Sequence, residues 1–183
     1  MWKGILLMMA VSIGAGCKQS ADKATATTPQ KEVLGEADLG SLYQYYHAEP
    51  STLEQRDENL LIEYAASRNM QVTRTQSGVY MQILRKGSGG AVKWGDPIAT
   101  HYRGMFLDGK QFDSSIDRGK PLAFRVGQMI PGWNEALITR NIGDKFVLLI
   151  PSHMAYGKRG FPGAVPPDAN LIFEVEILYD TAQ

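Results

Sequence analysis

Three segments of this 183-residue chain hold side chains that could act together. HYRGMFLDGKQFDSS at 101–115 carries Tyr102, Phe112 and Asp113, IPGWNEAL at 130–137 carries Ile130 and Trp133, and AYGKRGFPGAVPP at 155–167 contributes Tyr156. The set is rich in large aromatics and places one carboxylate directly after an aromatic. Ser114 and Ser115 have no base motif beside them, so nucleophilic catalysis lacks support. His47, His101 and His153 are far apart and lack metal-ligand spacing, so no metal is expected. His101, in a strand beside Tyr102, reads as structural. Gly87 and Gly89 lack the third glycine and the following helix of a dinucleotide fingerprint; they read as a turn, and no cofactor is expected. What remains suits a reaction in which no covalent bond is made or broken.

The elements that must position these residues follow from pattern. From Gly78 onward the pattern is β. Strands are expected at Val79–Leu84, Ile98–Leu107, Leu122–Val126, Phe146–Ile150 and Leu171–Tyr179. Asp108–Gly109 is a hairpin turn signal. Trp133, Ala136 and Leu137 fall at i, i+3, i+4 and imply one short helix. Residues 151–167 hold four prolines and three glycines, too irregular for a core element, and read as a shaped surface flap. The fold class is therefore α+β: a twisted antiparallel sheet of about five strands wrapped on one short helix. Before it, a helix is expected at about 51–69. Ser51 and Glu54 would form its capping box, Leu53, Leu60, Leu61, Tyr64 and Ala65 one apolar face, and Asn69 its end. A shorter helical stretch is expected near Leu39–His47. This extension either packs on the following domain or serves as a dimerisation arm, and it has no sustained heptad.

Composition is that of a globular protein, with 44% hydrophobic and 21% charged residues, and 19 basic residues balance 19 acidic ones. A neutral chain without a basic run gives no reason to expect nucleic acid. Lys3, the apolar run Ile5–Ile13 and the small residues Gly14, Ala15 and Gly16 read as an export signal. The run is shorter than the roughly 20 residues of a membrane span. Cys17, the sole cysteine, follows directly and is similar to the lipidated cysteine of a bacterial lipoprotein; the alternative is an ordinary cleavage nearby and a free thiol. The expected organisation is a signal peptide at 1–16, a lipidated cysteine and flexible tether at 17–37, a helical extension at 38–75 and a catalytic domain at 76–183. The chain would then sit in the cell envelope, lipid-anchored to a bacterial membrane on the periplasmic side. Lys18 after the cysteine points to the outer membrane where the cell has one.

The run from about Gly78 to Tyr179 resembles the FKBP-type peptidyl-prolyl cis-trans isomerases, the macrolide-binding class. VYMQILRKGSGG, HYRG, DGKQFDSSIDRGKP, PGWNEAL, GDKFVLLIPSHMAYGKRG and VPPDANLIFEVEIL occur in the family's order and spacing. The resemblance implies rotation about X–Pro bonds of proline-containing polypeptides, without cofactor, and a macrolide as a possible inhibitor. It implies that Tyr102, Phe112 and Phe173 form aromatic walls and Trp133 the floor under the proline ring. Met129 and Ile130 would line one side, with the Ile130 amide offered to the substrate. Asp113 would stand at the rim, oriented by Arg118, and Tyr156 would offer its hydroxyl from the flap. Phe161 and Val165 of the flap would also line the site.

Some residues depart from the family pattern. Leu122 stands where an aromatic is common, which predicts a wider wall; Ala164 and Met129 also depart from it and bear on specificity. On residue type alone, Trp133, Tyr102 and Phe173 are equally core residues, and the Asp113–Arg118 pair equally a loop salt bridge. The same pocket would also suit a module that binds proline segments without turnover. The 38–70 region would also suit an assembly lipoprotein.

Overall fold

The computed structural model describes residues 36–180, and side chains for 40–178. The signal, Cys17 and most of the tether expected from sequence lie outside the described residues. Two helices come first, α1 (Glu36–Tyr43) and α2 (Leu53–Ser67). Seven strands follow: β1 (Thr73–Arg74), β2 (Tyr80–Arg85), β3 (Pro97–Phe106), β4 (Gln111–Ser114), β5 (Leu122–Arg125), β6 (Lys145–Ile150) and β7 (Leu171–Asp180). One short helix, α3 (Pro131–Leu137), lies between β5 and β6. Every strand pair is antiparallel, in the order β1-β2-β6-β7-β3-β4, with β5 also on β3. The strand count exceeds the expected five because β1 and β4 are only two and four residues long. Two residues are too few for a period of two to show, and β4, with Phe112 as its one apolar residue, shows no alternation.

Both faces of the sheet centre are buried, which explains the unbroken apolar run of β6. Phe146, Leu148 and Ile150 face α3, together with Leu171, Phe173, Val175 and Ile177 of β7. Val147 and Leu149, with Tyr80 and Ile172, face Leu42, Leu61, Ile62 and Ala65 of the helical extension. The extension therefore packs on the sheet of the following domain, the first of the two roles expected for it.

The details of α2 differ from the expected ones. Its capping box is Thr52 with Gln55, not Ser51 with Glu54. Thr52 is the N-cap, so Gln55 falls at N3, where its Oε1 accepts from the amides of both Ser51 and Thr52 and its own backbone amide donates to the Thr52 hydroxyl. Leu60 is exposed, and Ile62 takes its place in the core. The helix is rotated because Asp57 and Glu58 also face inward, each with a protein partner. The Glu58 carboxylate accepts from the Arg74 guanidinium at 2.5 Å, the Tyr80 hydroxyl at 3.0 Å, and pairs with His47 at 3.1 Å. Burial works against its charge, but these partners outweigh it and hold its carboxyl below the usual range. Asn69, in the left-handed region at φ 50°, follows the helix end. The first helix runs Glu36–Tyr43 rather than Leu39–His47.

Candidate active site

Strand β3 builds one wall. Along one edge it pairs with β7 throughout; its other edge is divided, with β5 on Pro97–Thr100 and β4 on Arg103–Met105. The gap falls at His101–Tyr102. Ser115 fills it: its Oγ accepts from the Tyr102 amide at 2.8 Å and donates to the Tyr102 carbonyl at 3.3 Å. His101 Nδ1 is 3.1 Å from the same Oγ. A base neighbour is thus present after all, yet Ser115 is fully buried and committed to the backbone. The His–Ser contact pins Tyr102.

Trp133 meets both Tyr102 and Phe173 edge to face. Ring centroids are 5.4 Å apart for Tyr102–Trp133 and 5.3 Å for Trp133–Phe173, both at 89°. Phe112 stands against Phe173 at 5.7 Å and 88°. Edge-to-face stacking satisfies ring quadrupoles and sets these rings around Trp133 as the sides of a bowl instead of a parallel stack. Gly104 makes room for it: a Cβ there would lie 2.7 Å from Phe112 Cζ and 2.9 Å from Phe173 Cε1. Trp133, 1% exposed, lies deepest, and its Nε1 is buried with no hydrogen-bond partner in the protein. Phe124 adds a further ring, 6.0 Å from Trp133.

The side toward α3 is shaped by Asn134. Its Oδ1 accepts from the Gly127 and Met129 amides at 3.0 and 3.2 Å, and its Nδ2 donates to the Met129 carbonyl at 2.6 Å. This holds 127–130 against the start of the helix and presents Met129 and Ile130, both half-buried, beside the bowl. Among the described residues no acceptor takes the Ile130 amide.

The rim is polar. The Tyr102 hydroxyl donates to Asp113 Oδ2, and Arg118 donates to Asp113 Oδ1 and, at 2.9 Å, to the Tyr102 oxygen. Burial first, then the bond to Asp113, pushes the Tyr102 phenol up to about 12. Opposite is the flap. Tyr156 is half-buried against the core, and its phenol is pushed up by burial and by the charge of Asp113. The tip is a small hairpin in which Phe161 and Val165 exchange both backbone bonds at 2.8 Å. Val165 turns inward at 5% exposure, while Phe161 lies outside at 53%, its ring 5.5 Å from Tyr156. Gly160, at φ 62°, lets the chain enter this hairpin; a Cβ there would lie 2.5 Å from the Val165 carbonyl oxygen. Leu122 packs at the margin of the same core.

Tyr102, Phe112, Leu122, Met129, Ile130, Trp133, Tyr156, Val165 and Phe173 therefore pack in one core cluster, with Asp113 and Arg118 bonded to the Tyr102 hydroxyl and Phe161 outside on the flap. Gly104, Phe124 and Asn134 were not singled out, and Ser115 was weighed only as a nucleophile. Among the described residues no group of three or more His, Cys, Asp or Glu side chains could hold a metal, and no helix is long and apolar enough to cross a membrane. A cleft of about 600 Å³ elsewhere, where α1 meets β1 and β2, mixes Gln44, Gln71, Thr73 and Gln82 with apolar residues. It lacks the converging rings of the bowl.

The family of FKBP-type peptidyl-prolyl cis-trans isomerases matches residues 89–178. FK506-binding protein 1 of Debaryomyces hansenii is 48% identical over 101 residues, covering 54% of this chain and 90% of that protein. The chain belongs to the FKBP-type peptidyl-prolyl cis-trans isomerases. The FKBP-type isomerase FkpA of Escherichia coli is 44% identical over 107 residues, covering 58% of this chain but 39% of FkpA. This FKBP-type chain thus spans about two fifths of that relative's length. The crystal structure of Escherichia coli FkpA superimposes with a TM-score of 0.63 at 35% identity, covering 76% of this chain and 62% of the other. Backbone likeness to FkpA therefore runs beyond the segment matched in sequence.

Proposed function

We propose that this chain catalyses cis-trans rotation about X–Pro bonds in exported or envelope polypeptides. The observation that carries the reading is the aromatic bowl floored by Trp133, with polar groups confined to its rim. The X–Pro amide is planar through resonance, and rotation faces a barrier of ~20 kcal/mol. On twisting, the amide loses resonance and charge separation. A dry aromatic site disfavours the planar, more polar form relative to the twisted one, so it binds the transition state better than the ground state. Trp133 would support the proline ring, with Tyr102, Phe112 and Phe173 around it. Tyr156 would donate to a substrate carbonyl and the Ile130 amide would engage the substrate backbone. Met129, Leu122, Phe161 and Val165 would contact the residues flanking proline. Asp113, held by Tyr102 and Arg118, would fix the rim. A thousandfold acceleration needs only about 4 kcal/mol of such differential binding. A macrolide would compete for the same bowl.

The activity is tested on a proline-containing tetrapeptide whose cis form is followed optically. The full chain should speed the relaxation, and Asp113→Ala should lower kcat/KM by about tenfold or more, a loss of roughly 1.4 kcal/mol of transition-state binding. Relaxation at the uncatalysed rate in the presence of the native chain would overturn the reading.

The proposal extends to location. Residues 1–16 would be removed on export, Cys17 would carry lipid, and 17–37 would tether the domain to the membrane. The charge–apolar–small–cysteine order of the first 17 residues supports this. An exported chain found wholly in the soluble fraction would overturn this part.

A further inference from the structure

Asp57 is a carboxylate, 3% exposed, that the bowl does not use. It lies on α2, in the extension, and its partner is 95 positions away. Its Oδ2 accepts from the Ser152 hydroxyl at 2.6 Å and from the Ser152 amide at 3.1 Å. The same amide also donates to Asn170 Oδ1 at 2.9 Å, and Asn170 Nδ2 reaches the Asp57 carbonyl at 3.5 Å. Ser152 lies at the start of the flap, and Asn170 lies just beyond its end, directly before β7. Both ends of the flap are thus tied to each other and to α2 around one carboxylate.

Among the described residues no cation pairs with Asp57. Burying an unpaired carboxylate is costly, and an apolar residue would dock the helix at lower cost. What the carboxylate adds is direction, because charge-assisted hydrogen bonds are short and geometrically strict. That direction is passed on through a closed turn. Met154 and Ala155 donate back to Pro151 and Ser152 at 2.9 and 3.0 Å, and Tyr156 follows. On the other side of this turn, a Cβ on Gly132 of α3 would lie 3.2 Å from the Met154 carbonyl oxygen. The base of the flap is therefore held between α2 and α3, with little slack.

We propose that Asp57 is a positioning residue for the isomerase: it anchors the flap so that the Tyr156 hydroxyl stands over the bowl opposite Asp113. The helical extension thereby sets turnover, although it touches no substrate. This inference rests on the isomerase reading above.

The test uses the full chain and the same peptide, with kcat and KM measured separately and thermal unfolding recorded in parallel. Asp57→Ala should lower kcat about tenfold with KM little changed, the scale of a small misplacement of a catalytic group. Tyr156→Phe should also slow turnover, and the double variant should lose little beyond the larger single effect, because both changes remove the same contact. A role confined to stability would instead give losses that multiply. Asp57→Asn retains an oxygen able to accept both bonds and should stay within about threefold of the native chain. If Asp57→Ala does not fold, Ser152→Ala removes the 2.6 Å bond while the amide remains held, and the same non-additivity with Tyr156→Phe is expected. Native turnover in Asp57→Ala, or losses that multiply with Tyr156→Phe, would overturn the inference alone. A native chain without activity would overturn the isomerase reading, and this inference with it.

Discussion

Tyr102 joins the floor of the bowl to its rim, with its ring against Trp133 and its hydroxyl on Asp113. Its phenol is raised to about 12 from an ordinary 10.0. The folded chain therefore keeps a proton that the unfolded chain releases first. This contribution to stability is complete below about pH 10 and is lost as pH rises through about 12. The melting temperature should fall across that window, and Tyr102→Phe should make the fall shallower. An identical alkaline slope in Tyr102→Phe would assign the loss to other groups; Tyr80, raised by burial and Glu58, is one of them. Tyr102, Trp133 and Asp113 were legible through the family resemblance, since residue type alone suits the two aromatics to a core and Asp113 to a loop salt bridge. Gly104 was not, because its reason is the Phe112 and Phe173 rings arriving from two other strands. Asn134 looks like the polar face of a short helix, yet it is 8% exposed and its side chain shapes the backbone at 127–130.

Among the elements, α2 shows where periodicity succeeds and where it misleads. Its existence follows from apolar spacing, while its docking against the domain, one of two readings open in the sequence, is seen in the shared core. Its rotation does not follow from spacing, because apolar periodicity gives no weight to Asp57 and Glu58. Leu61 is fully buried between α2 and the sheet. Leu61→Ala should therefore lower unfolding stability by about 3 kcal/mol, read from a denaturant titration. An unchanged midpoint would mean that the extension is not part of the folded unit. The boundary expected at 75/76 runs through a shared core, since Tyr80, Val147, Leu149 and Ile172 lie on one side of it and Leu61, Ile62 and Ala65 on the other. A fragment beginning at 76 would expose that sheet face to water. The flap shows the converse: its Gly and Pro content marked it as shaped, but only the folded chain brings its two ends together at Ser152 and Asn170.

For the whole molecule, the proposed lipid anchor makes location depend on one atom, the Cys17 sulfur. Cys17→Ser should move the chain from the membrane fraction to the soluble one while leaving peptide isomerisation unchanged. Membrane retention of that variant would assign the attachment to another segment. The sheet order has a different consequence. Strand β7, the last of the seven, lies between β6 and β3 and pairs with both along its length. Until residues 171–180 have been synthesised, β1-β2-β6 and β3-β4-β5 are two separate half-sheets with their inner edges open. Such edges invite wrong pairing. The bowl also draws Phe173 from this strand, so a nascent chain cannot complete the bowl before β7 emerges. Closure of this domain is thereby deferred until β7 has been delivered, which under the proposed export would keep the sheet open while the preceding strands cross a membrane.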